Sequence, residues 1–394
     1  MTQIFDIMIV GAGPAGCSCA IQLAKALPEL RIALVEKAAF PRDKICGDAL
    51  SPDVINQLGM LSTNLVQKIK ENAQTHTIKG LKIAGNGNKA FSYFLPQKME
   101  MYTSARMDFD TLLWEHTQGF SNISYFPNCK VNDIQIVENK AVIYTEKQTF
   151  ECQLVVGADG AHSVVARKLG RIEMDKEYYS AALRVYYENV QGLDEALIEF
   201  YYFKEILPGY LWIFPLPNHR ANVGLGMPAD SMTGEKQGLR EKLQQLIENH
   251  PSLKERFKAA KPLESVKGFG LPLGGKRNNI SGERFLLLGD AAWLIDPFTG
   301  EGIGNALRSG RVASEHLVNC FAKMDFSAAT NLAYNKEIYR RMLPEFKANL
   351  LLKRIVNHFP FGLNAFIFVS SNLQGMTNGL INGFLWLHKW VREI

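Results

Sequence analysis

Cysteine is scarce in this chain: six residues in 394, at positions 17, 19, 46, 129, 152 and 320, with no Cys-x-x-Cys spacing. That excludes a disulfide framework, and no zinc site follows from eight dispersed histidines. Cys17 and Cys19 fall on different faces of an expected helix and read as packing residues rather than a redox pair. Equally missing is an arginine-rich block or a basic face interleaved with aromatics. Lys and Arg number 44 against 39 Asp and Glu, a net charge of only +5, which argues against nucleic acid as a partner. The N-terminus, MTQIFDIMIVGAG, runs straight into a strand with no basic leader and cleavage site, so the expectation is a cytoplasmic protein in a reducing compartment. A composition 47% hydrophobic and 21% charged is that of an ordinary globular protein, and the length suggests two joined domains.

What is present is a phosphate cradle. DIMIVGAGPAGCSCAIQLAKALPELRIALVEK reads as strand, tight turn, helix and strand, closing on Glu36. Gly11 permits the turn, Gly13 lets the backbone approach a pyrophosphate, and Gly16 lets the helix pack on the sheet. The helix start offers unpaired N–H groups and a positive dipole end to an anion. Glu36, 20 residues beyond Gly16, stands where a carboxylate accepts both ribose hydroxyls and repels a 2′-phosphate. The dinucleotide is therefore FAD or NAD rather than NADP.

Two later stretches decide between them. CQLVVGADGAHSVVARKLG is a buried strand closing on Asp159-Gly160, with a helix start at Ser163. RFLLLGDAAWLIDPFTGEGIGNALRSGRVAS closes on Gly289-Asp290 and continues into a long helix whose first turn is Gly302-Ile303-Gly304. Such a helix start can direct several N–H groups at the N1 and O2 edge of a flavin, and Asp290 can bond a ribityl hydroxyl. Each fragment alone is equally a turn and a helix cap; the three in this order point to FAD. On these residues the chain resembles the flavoprotein superfamily of para-hydroxybenzoate hydroxylase, whose GxGxxG, DG and GD motifs match Gly11-Ala12-Gly13-Pro14-Ala15-Gly16, Asp159-Gly160 and Gly289-Asp290. The resemblance implies an α/β fold with a Rossmann-type, glutathione-reductase-like FAD-binding domain. In TSARMDFDTLLWEH it implies that Arg106 opens a helix and reaches the FAD phosphates. No second strand–GxGxxG–helix unit follows; NVGLGMPAD comes after a strand, but Pro228 and Asp230 suit a turn. The electron donor is thus a transiently docked NAD(P)H or a reduced electron-carrier protein, and both stay open.

Within that superfamily, FPRDKICGDALSP (Phe40 to Pro52) and YLWIFPLPNHRANVGLG resemble the geranylgeranyl reductase branch. Its PxxKxCG-type and YxWxFP segments match Pro41, Lys44, Cys46 and Gly47, and Tyr210, Trp212, Phe214 and Pro215. This implies a loop running from the ribose end of FAD toward the ring, with Cys46-Gly47 beside the isoalloxazine. Cys46 is the catalytic candidate: its thiol could give a proton to one alkene carbon while reduced N5 gives hydride to the other. The plainer role is packing, since free cysteine behaves as a small hydrophobe. Arg42, Asp43, Lys44 and Asp48 read as solvated loop charges or cofactor contacts rather than acid–base groups. Tyr210, Trp212 and Phe214 alternate on a strand and share a face, either an aromatic wall for a long apolar substrate or plain core. Pro215 is expected to break that strand and shape the wall. The expected cofactor contacts are Gly11, Gly13, Pro14, Ala15, Gly16, Glu36, Lys37, Cys46, Gly47, Ala49, Arg106, Val131, Asp159, Gly160, Gly289, Asp290, Pro297, Gly300, Gly302 and Ile303, with no metal.

The FAD domain is expected from residues 1–75, 106–180 and 276–325. An interleaved antiparallel-sheet substrate domain is expected from 76–105 and 181–275, with one helix near 234–259, and a C-terminal helical region from 326–394. Residues 336–354 hold six Lys and Arg against two Glu, and Phe359 to Leu387 carries no charge. Its polar and glycine residues argue against a membrane span. Either a soluble helical cap or peripheral contact with the inner face of a membrane through 336–387 is expected. The activity implied by the resemblance is FAD-dependent reduction of carbon–carbon double bonds in an isoprenoid such as a geranylgeranyl-type chain, a prenyl lipid or a polyprenyl quinone. The rivals are a monooxygenase or halogenase of the same fold, for which no positioned lysine is identified, and a non-catalytic flavin electron-transfer protein.

Overall fold

In the computed structural model, which describes residues 2–85, 89–232, 238–359, 367 and 370, the uninterrupted apolar runs become buried parallel strands, as a sheet covered on both faces requires. Among the described residues a six-stranded sheet runs in the order Ser281–Gly282, Phe285–Leu287, Leu154–Gly157, Ile7–Val10, Ile32–Val35, Ile123–Phe126. All its pairs are parallel except the short Ser281–Gly282 edge. Three adjacent strands of this sheet, ending at Val10, Gly157 and Leu287, deliver the three glycine turns to one edge, the carboxyl edge where open α/β sheets bind ligands. Helices Pro14–Ala26 and Ile303–Lys323 lie against each other so closely that a Cβ on Gly310 would stand 2.5 Å from the Ala15 carbonyl oxygen. The Ser18 hydroxyl donates across the contact to the Leu307 carbonyl at 2.8 Å.

The period-two stretches form a second, eight-stranded sheet. Its path is Lys261–Pro262, Tyr179–Glu188, Arg220–Pro228, Tyr210–Leu216, Leu197–Tyr201, Gly80–Ala84, Ala90–Phe94, and Lys267–Pro272 pairs with Tyr179–Glu188 off that path. It is antiparallel except where Leu197–Tyr201 runs parallel to Gly80–Ala84. The expectation for Pro215 is overturned: it lies inside the strand Tyr210–Leu216, opposite Ala221. Its carbonyl accepts from the Thr103 hydroxyl, so its polar edge points away from the Arg220–Pro228 strand. The neighbour on the other side pairs only over Leu211–Ile213, and the missing N–H costs no ladder bond. The expected single helix near 234–259 is two, Leu239–Asn249 and Lys254–Phe257, interrupted at Pro251; residues 233–237 lie outside the described residues.

A three-stranded sheet joins Ala49–Leu50 to Met101–Ser104 and Thr75–Ile78. A four-stranded one gathers Thr2–Ile4 with the Val131–Cys152 meander. A 31-residue helix, Ala328–His358, closes the described chain. Most of the expected basic face on it is neutralised or turned inward. Arg340 and Arg341 pair with Glu337, Arg354 pairs with Glu177, and Lys353 is buried. The uncharged stretch from Phe359 to Leu387 lies outside the described residues apart from Phe359, Ile367 and Ser370. Among the described residues no helix is long and apolar enough to cross a membrane.

Candidate active site

Gly11 turns the chain at φ +100°, and a Cβ there would stand 2.4 Å from the Ala158 carbonyl oxygen. Gly16 is equally constrained, its Cβ falling 1.9 Å from the Gly11 oxygen. Gly13 differs: it starts the Pro14–Ala26 helix with no side-chain cap, and an added Cβ would meet only the Arg42 guanidinium at 3.7 Å. Pro14 has no N–H to satisfy, so the N–H groups of Ala15 and Gly16 are left for a ligand. Gly302 likewise starts the Ile303–Lys323 helix without a side-chain cap. Gly160, at φ +80°, has nothing within 4 Å of an added Cβ. Two uncapped helix starts and two open glycines on one edge fit the pyrophosphate and the electron-rich flavin edge of FAD.

Glu36 is buried and accepts the Ala12 N–H at 3.1 Å, while Lys37 beyond it is exposed. Asp159 turns its carboxylate onto the Ser163 hydroxyl and the Val164 N–H, holding its own turn. Gly289 sits at φ +53° with Ala15 and Ala306 crowding its Cβ position. Asp290 pairs with Lys44 at 3.2 Å. Pro297 and Ile303 are buried, and the Tyr210 hydroxyl donates to the Thr299 carbonyl at 2.7 Å beside Gly300. Val131 is buried at the start of the Val131–Val137 strand, and Ala49 lies in the short Ala49–Leu50 strand.

Arg42, Asp43 and Asp48 are not solvated charges; the loop they belong to is fastened to both large sheets. Arg42 pairs with Asp110 at 2.7 Å and Glu36 at 3.3 Å. Asp43 meets Arg184, a guanidinium buried inside the apolar strand Tyr179–Glu188, at 2.7 Å. Lys44 stands over the Phe269 ring as well as on Asp290. Ser51 bonds Glu301 at the far end of the loop. Between these anchors, Asn222 donates to the Cys46 carbonyl at 2.8 Å and to Asp48 at 2.7 Å, and accepts from the Trp212 indole at 2.8 Å. One amide thus holds the cysteine backbone, the buried acid and the aromatic wall together. A Cβ on Gly47 would meet Phe214 at 3.1 Å, so the loop lies directly on that wall.

Asp48 has no exposed surface, takes a second bond from the Tyr186 hydroxyl at 2.7 Å, and leaves its other oxygen without a partner. Burial pushes its carboxyl up to about 6, against the pull of Tyr186, Asn222 and Arg184. Burial acts the same way on Asp110, but Arg106 and Arg42 outweigh it and hold that carboxyl below its ordinary range. Arg106 opens the Arg106–Thr117 helix and is buried; desolvation pulls its pKa down, and Asp110, to which it donates two hydrogen bonds, together with the nearby Cys46 raises it above the ordinary value. Cys46 is the one cysteine that is not buried. Asn222, Tyr186, Arg184 and Asp110 were not singled out in the sequence, and Asp48 was read there only as a solvated loop charge or cofactor contact. For Arg184, Tyr186 and Asn222 the signal was a polar residue set in an otherwise apolar strand, as in LRVYY and ANVGLGM.

The family profile described as FAD binding domain matches residues 5–319. The chain is 29% identical over 324 residues to a menaquinone reductase of Mycobacterium tuberculosis, covering 79% of this chain and 76% of that protein. It is 27% identical to a digeranylgeranylglycerophospholipid reductase of Thermoplasma acidophilum, over 89% of this chain and 87% of that protein. Among solved structures, a geranylgeranyl bacteriochlorophyll reductase-like protein of Thermoplasma acidophilum superposes with a TM-score of 0.78 at 25% identity, covering 90% and 88% of the two chains. A flavin-dependent brominase shares the fold, with a TM-score of 0.76 at 22% identity over 96% and 93%.

Proposed function

Since the chain belongs to the FAD-binding-domain family and is an FAD-dependent oxidoreductase, we propose that it reduces carbon–carbon double bonds in an isoprenoid chain. The observation that supports this reading is the clamp of Asn222 on the Cys46 carbonyl and the Trp212 indole, which ties the cysteine loop to an apolar aromatic wall. The six-stranded sheet would hold FAD through Gly11, Gly13, Ala15, Gly16 and Glu36 at the pyrophosphate and ribose. Asp290, Gly300, Gly302 and Ile303 would hold the ring end. Bound and reduced FAD would supply the hydride. The protein supplies the rest: Tyr210, Trp212 and Phe214 orient an apolar chain and exclude water, since an isolated alkene accepts hydride poorly unless its partner carbon receives a proton. Cys46 is the proton donor in this reading, with the buried Arg106 guanidinium near enough to interact with it electrostatically. The named activities of the menaquinone and digeranylgeranylglycerophospholipid reductases support the substrate class. Electrons would come from a transiently docked NAD(P)H or a reduced carrier protein.

The test is anaerobic: photoreduce the FAD-loaded protein, add geranylgeranyl compounds or a polyprenyl quinone, and follow flavin reoxidation with mass spectrometry. A product two mass units heavier is expected. Substrate-stimulated oxygen uptake with no such product overturns the reading in favour of a monooxygenase or halogenase.

A further inference from the structure

Beside the Pro297–Gly300 turn lies a cavity lined by Tyr210, Met227, Leu271, Leu273 and Phe298 together with Lys353 and Asn357. The long helix Ala328–His358 brings in both polar groups. Asn349 pins that helix to the turn through Asp296 at 2.5 Å. Lys353 and Asn357 follow at four-residue spacing, so the three share one face of the helix, and the latter two, about 6 Å apart along it, line the cavity. Lys353 is 8% exposed, and among the described residues no hydrogen bond or ion pair reaches its ammonium. Among the described residues no donor reaches the buried Asn357 amide oxygen either. A lone ammonium on an apolar wall is costly to bury, and burial pulls its pKa below the ordinary value, with Asp230 and Glu177 as the opposing charges. Two polar groups one helical turn apart, without partners among the described residues and in a mostly apolar cavity, are complementary to a ligand with a charged head and a greasy tail.

We propose that Lys353 and Asn357 form a head-group site for the phosphate of an isoprenoid substrate whose chain runs along Phe298 and Met227 to Tyr210. The inference rests on the isoprenoid-reductase reading and narrows it. A phosphate compensates the buried charge and offers acceptors to the ammonium, and the Asn357 amide can turn either its oxygen or its NH2 to the head. A neutral quinone carbonyl would leave the charge uncompensated.

The test uses FAD-loaded protein titrated with geranylgeranyl phosphate and with geranylgeraniol, which share the chain and differ in the head, with Trp fluorescence as the readout. The phosphate should bind at least tenfold tighter than the alcohol. Lys353→Met should erase that difference while leaving the alcohol's affinity unchanged, and Lys353→Arg should restore it. In thermal melts without ligand, Lys353→Met should be no less stable than wild type, because it removes an uncompensated charge. Phosphatidic acid vesicles that compete with geranylgeranyl phosphate only when Lys353 is present assign the head to a membrane lipid; failure to compete assigns it to a free prenyl phosphate. Equal affinities for phosphate and alcohol, or a preference that survives Lys353→Met, overturn the proposal, as does menaquinone binding as tightly as the phosphate with no dependence on Lys353. The two readings fail separately. Chain reduction with identical KM for alcohol and phosphate removes the head site alone, and Lys353-dependent binding without reduction removes the reductase reading alone.

Discussion

At Cys46 the surroundings do more than the residue type. Five of the six cysteines are buried, whereas Cys46 is part-exposed on a backbone clamped by Asn222. Replacing Cys46 with Ala should therefore cost turnover about 10²–10⁴-fold, the usual range for a lost proton donor, with FAD absorbance unchanged. Rapid-mixing reoxidation of reduced enzyme by substrate measures it, and a Cys46→Ala rate within twofold of wild type returns the thiol to a packing role. Asp48 gives a second residue-scale expectation. Its folded-state pKa near 6 lies above the unfolded value, so the folded state binds the extra proton. Its contribution is then fully present below about pH 4 and lost as pH rises through 6. Asp48→Asn lacks that titration, so relative to wild type it should gain on the order of 2–3 kcal/mol between pH 4 and pH 6 in urea unfolding. A constant difference across that window would show that Asp48 ionises as an ordinary carboxylate. The motif FPRDKICGDALSP stood out in the sequence, but the burial of Asp48 did not. A buried acid and a solvated one are the same letter, and only Tyr186 and Asn222, more than a hundred residues away, distinguish them.

Strands and helices set how closely the site closes. Trp212 faces Gly224 across the antiparallel pair, and a Cβ at Gly224 would stand 2.0 Å from the indole. Gly224→Ala should displace Trp212, lower stability by about 1–3 kcal/mol and weaken apolar-chain binding, while FAD content stays at wild-type level. Unchanged chain affinity would separate the indole from the substrate wall. The aromatic alternation of YLWIFP was readable from period two alone. The fate of Pro215 was not, because it depends on which neighbouring strand stops at Ile213. For the long helix, Asn349→Ala removes its bond to Asp296 and leaves one carboxylate oxygen unpaired beside the Gly300 turn. A loss of about 1–3 kcal/mol, with proteolytic cutting beginning in the Ala328–His358 helix, is the expected outcome.

Over the whole molecule, three glycine turns separated by well over a hundred residues meet because their strands are neighbours in one sheet. Ligand binding should therefore tie the fold together. FAD at about 100 times its Kd should stabilise the protein by about 2.7 kcal/mol, read as a rise in Tm. Gly11→Ala, whose Cβ would stand 2.4 Å from the Ala158 oxygen, should abolish the increment. A Tm rise that survives in Gly11→Ala would place the dinucleotide elsewhere. The sequence by itself determined the α/β class, the glycine–aspartate turns and the aromatic strand, since each is written in local periodicity or in a backbone conformation that only certain residues adopt. Tertiary structure alone decided that Arg42, Asp43 and Lys44 are partnered, that Asn222 joins the cysteine loop to the wall, and that Lys353 is turned inward from a basic stretch. Charge compensation is a relation between residues far apart in the chain, and no local pattern encodes the partner.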